Sequence, residues 1–141
     1  MKVTLTRQNE AFLFEGKGAS GNSVYIDNSS VNEVKGSSPM ELLLMAVGSC
    51  NAIDIVSILD KQKQHIESYS ITVEGQRKDV NHAKPFKSIA VFIYLEGDID
   101  PKKALRAAEL SFTKYCSVSL TFAGAIDLSY KVFVNGKQIE Q

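Results

Sequence analysis

The two cysteines, Cys50 and Cys116, are the residues best suited to chemistry in this 141-residue chain. Cys50 stands in a strongly apolar run, SPMELLLMAVGSCNAIDIVSIL, and Cys116 in KYCSVSLTF. Two thiols that meet can cycle between dithiol and disulfide. The same two residues can instead serve as small buried hydrophobes. A disulfide requires Cα atoms within about 7 Å, a distance that sequence does not measure, so both readings stand at this level.

The surroundings of the two sulfurs differ. Cys50 falls about three turns inside a helix, beyond the reach of the N-terminal dipole, so its thiolate needs a neighbouring cation or hydrogen-bond donor. Asp54, one turn later, disfavours a nearby thiolate. Cys116 precedes Ser117-Val118-Ser119-Leu120, the expected start of a short helix, where a thiolate is favoured. Lys114 and Tyr115 flank it. Two His and two Cys without tight ligand spacing argue against a zinc site, and no cofactor or metal is expected. His82 reads as a loop residue and His65 as a cation at the end of the long helix.

The 16 basic and 16 acidic residues balance, with a pI near 6.7, which gives no electrostatic footprint for nucleic acid or an anionic membrane surface. The opening residues, MKVTLTRQNE, lack the apolar core of a signal peptide, and the longest apolar stretch, Leu42 to Val47, is too short to cross a bilayer. Two cysteines without such a signal fit a reducing cytoplasm. The length fits one domain, residues 1–141.

The elements that position the cysteines follow from hydrophobic period. Val3 and Leu5, then Phe12 and Phe14, then Val24 to Ile26 predict three short strands in a meander. Ser38-Pro39-Met40-Glu41 combines a Ser N-cap, Pro at the first helical position and Glu at N3, the signature of a capping box. The helix it starts runs to about Lys63, apolar over most of its surface, with Asn51, Asp54, Ser57 and Lys61 as one polar stripe. Such a helix is expected to be mostly buried, and Gly48 marks a close approach. Tyr69 to Glu74 alternates as a strand with one wet face. Phe86 to Leu95 is apolar on both faces, as in an interior strand. Asp100-Pro101 starts a second helix with Ala104, Ala108, Leu110 and Phe112 inward, and Ile126 to Val134 forms the last strand. The fold class is α+β, an antiparallel sheet of about six strands on a long central helix with a second helix. So apolar a helix in so small a chain implies a partner subunit.

The run from Ser38 to Cys50, continuing Asn-Ala-Ile-Asp, resembles the central helix of the OsmC/Ohr family, and Lys-Tyr-Cys116-Ser-Val-Ser resembles its second motif, usually Cys-Pro-Val-Ser. The element order matches too, so the resemblance covers essentially the whole chain. It implies an intertwined homodimer with two central helices back to back. It also implies a thiol peroxidase in which Cys50 attacks an organic hydroperoxide, becomes a sulfenic acid and is resolved by Cys116, a dithiol reductant then restoring both. The family's peroxidases add an Arg and a Glu. Arg7 falls near the family's Arg. The Glu position is occupied by Met40, and the neighbouring Glu41 is also the capping partner of Ser38. Ser117 replaces the motif's Pro. The chain resembles the uncharacterised OsmC-like members more than the established peroxidases, and a non-catalytic dimer binding a small apolar molecule is the alternative.

Overall fold

A computed structural model describes residues 1–140, which divide into two compact units, Met1–Leu43 and Leu44 onward. In the first unit β1 (Thr4–Arg7), β2 (Phe14–Lys17) and β3 (Ser23–Ile26) form an antiparallel sheet in the order β1-β2-β3. This is the expected meander. In the loop after β3, the buried carboxylate of Asp27 accepts from the backbone N–H groups of Asn28 and Lys35.

Helix α1 spans Pro39–Lys61. Its start is the capping box read from the sequence: the Ser38 N–H donates to Glu41 Oε2 at 2.7 Å and the Glu41 N–H to Ser38 Oγ at 3.3 Å. Backbone hydrogen bonds close the other end at Gln62 to Gln64, and Lys63 takes a positive φ of 57°. His65 therefore opens β4 and does not cap the helix.

The second sheet is mixed, in the order β4-β5-β6-β7, with β4 (His65–Arg77), β5 (Phe86–Asp98), β6 (Asp127–Val134) and β7 (Lys137–Ile139). Among the described residues, seven strands in two sheets replace the single sheet of about six. The pair β5–β6 is parallel, not antiparallel, because the intervening chain crosses over through α2 (Pro101–Leu110), a π turn (Ser111–Tyr115) and α3 (Ser117–Phe122). Asn135 and Gly136, both at positive φ, form the tight turn into β7, a strand the sequence pattern did not suggest.

One face of β5 is the core: Ile89, Val91, Ile93 and Leu95 are fully buried. Ile71 and Val73 of β4 stand opposite Ile93 and Val91, and Gly48 of α1 packs against them. A Cβ at Gly48 would lie 2.8 Å from Val73 Cγ2, so the glycine lets the helix settle on side chains of the sheet. Ala104, Ala107 and Ala108 bury the inner side of α2, whose N-cap is Asp100 as expected. The other face of β5 is less enclosed than its apolar sequence implied, with Tyr94 exposed and stacked on Phe133.

The long helix is not mostly buried within one chain. Val47, Gly48, Asn51, Ile55 and Leu59 form a single inward stripe. Leu43, Met45, Ile53 and Val56 stay exposed, Ile53 at 69%. By length and composition the helix is apolar enough to cross a membrane; its inward stripe makes it the core helix of this fold.

Candidate functional site

Cys50 lies midway along α1, half-buried, with Asn51 beside it and Asp54 one turn later. Cys116 is fully buried and ends the π turn. There its backbone N–H reaches Ser111 O at 2.9 Å, five residues back, a one-residue widening of the helix often found at functional sites. Cys116 itself is extended (φ −70°, ψ 101°) and starts α3, its sulfur accepting the Ser119 N–H at 3.3 Å in the way a serine oxygen would at an N-cap. The helix start expected at Cys116 is present.

Folding brings the two sulfurs and a carboxylate oxygen of Asp54 within 4.8 Å of one another. Both thiols are free. Burial is the largest force pushing the Cys50 thiol above its ordinary pKa. Its hydrogen bond with Cys116 adds to this, and the charges of Cys116 and Asp54 act in the same direction, while a backbone N–H from Val118 pulls it down. Asp54 acts in the unfavourable direction expected from sequence and contributes least of these. Lys114 extends over the Tyr115 ring, 5.4 Å from its centroid.

A buried polar network fixes this arrangement. The Asn51 amide donates to Val47 O at 2.8 Å and to Ser119 Oγ at 2.9 Å. The Ser111 hydroxyl lies 2.8 Å from Asn51 Oδ1 and 3.0 Å from Asp54 Oδ2 and donates between them. Asn51 is fully buried, not part of a solvated stripe. Burying so many polar atoms is tolerable only because each is partnered. Sequence reasoning missed the parts played by Asn51, Ser111 and Ser119. An Asn next to a cysteine inside an apolar helix was the available signal, since such a residue needs polar partners from elsewhere in the fold. Asp54 also lines an open depression of 520 Å³ with Leu110 and Tyr115, which gives its side a path to solvent.

The other two residues carried over by resemblance lie in the N-terminal unit. The Arg7 guanidinium donates to the carbonyls of Ala11, at 3.0 Å, and Glu10, and so closes the β1–β2 turn. Glu41 serves the capping box, and the Ser38 N–H holds its carboxyl below the ordinary value.

Residues 32–131 match the model of the family described as OsmC-like protein. The chain is 35% identical to Protein YhfA of Escherichia coli K12 over 122 residues, 86% of this chain and 89% of that one. The crystal structure of a hypothetical protein from Aquifex aeolicus VF5 is similar with a TM-score of 0.81 and 31% identity, over 95% of this chain and 96% of that one. An organic hydroperoxide resistance protein from Elizabethkingia anophelis, with crystallant-derived thiocyanate bound, shares the fold with a TM-score of 0.73 at 14% identity, over 94% of each chain.

Proposed function

Because the chain belongs to the OsmC-like family, we propose that it acts as a cytoplasmic, homodimeric thiol protein that reduces organic hydroperoxides through Cys50 and Cys116. The observation that carries this reading is the approach of the two sulfurs to within 4.8 Å, one of them half-buried and the other enclosed. The Cys50 thiolate attacks one peroxide oxygen and the O–O bond breaks. The alkoxide leaves as an alcohol after taking a proton, and Cys50 becomes a sulfenic acid. The Cys116 thiol then forms the S–S bond and water departs. A reducing dithiol returns both cysteines to thiols and is itself oxidised to a disulfide. Cys50 suits the first role because it has the more open sulfur. Arg7 and Glu41 remain the candidate charges for orienting peroxide; the capping bonds of Glu41 favour the structural role for it.

Homodimerisation is supported by the uncovered face of α1, where Ala52, Ile53 and Val56 join His65 and Ile66 along a groove of 620 Å³. A second copy covering that face would provide the enclosure that so apolar a helix requires.

The test mixes reduced protein with an organic hydroperoxide and follows both peroxide loss and free thiols. Peroxide consumption with loss of two thiols, abolished in Cys50→Ser, supports the reading. No consumption, or unchanged consumption in Cys50→Ser, ends it. The upward push on the Cys50 thiol counts against a reactive thiolate, and the second reading is a non-catalytic dimer holding a small apolar ligand. Co-purified ligand in native mass spectra, with thiols inert to peroxide, would select it.

A further inference from the structure

We propose that in the reduced protein Cys50, Cys116 and Asp54 form a three-ligand site for zinc, with the fourth position open to water or a small ligand. The wide separation of the cysteines in sequence argued against a metal, and folding removes that objection. All three ligand atoms lie within 4.8 Å of one another. Tetrahedral zinc with Zn–S near 2.3 Å and Zn–O near 2.0 Å sets ligand atoms about 3.5–3.8 Å apart. Closing the triad around a metal therefore takes a contraction of about 1.3 Å at most, within the rotamer freedom of the half-buried Cys50 and Asp54.

The donor set suits the metal. Two thiolates select soft or borderline cations over magnesium or calcium, and a single carboxylate leaves room for a fourth ligand. The groups around the triad are those that orient metal ligands. Successive backbone N–H groups of α3 serve the sulfurs, Val118 to Cys50 and Ser119 to Cys116. Ser111 donates to Asp54, and Asn51 ties Ser111 to Ser119. Asp54 has no ion-pair partner among the described residues. A half-buried carboxylate beside two sulfurs, without a cation, is the crowding that a divalent ion relieves. The depression at Asp54 supplies an entry path.

On binding, each thiol gives its proton to solvent and the zinc stays divalent, so no electron moves. The reaction involves the same sulfurs as peroxide reduction but requires none of its steps. Metal occupancy and the disulfide exclude each other, so zinc would hold the pair reduced.

The experiment titrates anaerobically reduced, metal-free protein with Co²⁺ and then Zn²⁺, following the near-ultraviolet sulfur-to-cobalt band and maleimide labelling. One Co²⁺ per chain, displaced by Zn²⁺ with both thiols protected until a chelator is added, supports the site. Asp54→Asn should weaken binding tenfold or more, Ser111→Ala about tenfold, and the disulfide form should bind none. Circular dichroism checks that each variant is folded. Reduced protein that takes up no metal beyond a Cys50→Ser/Cys116→Ser control overturns the proposal, as does Asp54→Asn binding like wild type. Because uptake is read without peroxide, a protein that binds zinc but reduces no hydroperoxide sinks only the peroxidase reading, and the reverse result sinks only this one.

Discussion

The Asn51 side chain donates to Ser119 Oγ across 2.9 Å, tying the helix residue next to Cys50 to the residue three after Cys116. That bond joins α1 to α3 and holds the two sulfurs in register. Replacing Asn51 by Ala removes the donor to the buried Ser119 hydroxyl and leaves Ser111 with Asp54 as its acceptor. It should lower unfolding stability by about 1–3 kcal/mol and slow oxidation of the cysteine pair. Denaturant midpoints and disulfide formation rates check this; an unchanged midpoint would show the network to be dispensable.

The Cys50 thiol, pushed up chiefly by burial, should alkylate slowly at neutral pH and faster as pH rises beyond the ordinary thiol value. The stability effect has the opposite slope. Folding favours the neutral thiol, so this contribution is full below the unfolded thiol pKa and is lost as pH rises through the folded value. Labelling rates of Cys116→Ser across pH, read with unfolding curves, test both. Full thiolate reactivity at neutral pH would require a cation beside Cys50.

Glu41→Gln separates the two roles open to that residue. A glutamine still completes a capping box, so helix content and peroxide turnover should both survive. A collapse of turnover in a normally stable variant would instead make the charge part of the chemistry. The depressed Glu41 carboxyl also predicts that its capping contribution, present above the unfolded pKa, fades as pH falls through the folded value.

Ile53→Asp places a charge on the most exposed apolar side chain of α1. Sedimentation should show a shift from dimer to monomer, with the fold of the single chain retained. An unshifted dimer would move the interface away from this face.

Gly48→Ala gains helix propensity but puts a methyl against Val73. Overpacking should dominate, costing about 1–3 kcal/mol in thermal or denaturant unfolding. A more stable variant would mean that the sheet yields at Val73.

Local chemistry was legible in the sequence. Ser38 and Glu41 announced the start of α1, Asp100 and Pro101 that of α2, and Cys116 that of α3, because capping depends on residues within one turn. The run from Phe86 to Leu95, apolar on both faces, also gave β5 as an interior strand. Longer-range features were not legible. The π turn at Ser111–Tyr115 and the parallel β5–β6 pairing across the predicted helices were among them.

Sequence alone thus determined which helices carry the thiols and where each helix begins, since those are decided by neighbours along the chain. Only the tertiary structure decided that Cys50, Cys116 and Asp54 meet, that Asn51 is buried among serines, and that α1 keeps an apolar face uncovered. Such relations depend on contacts between residues far apart in the chain, and hydrogen-bond geometry across that distance exists only after folding.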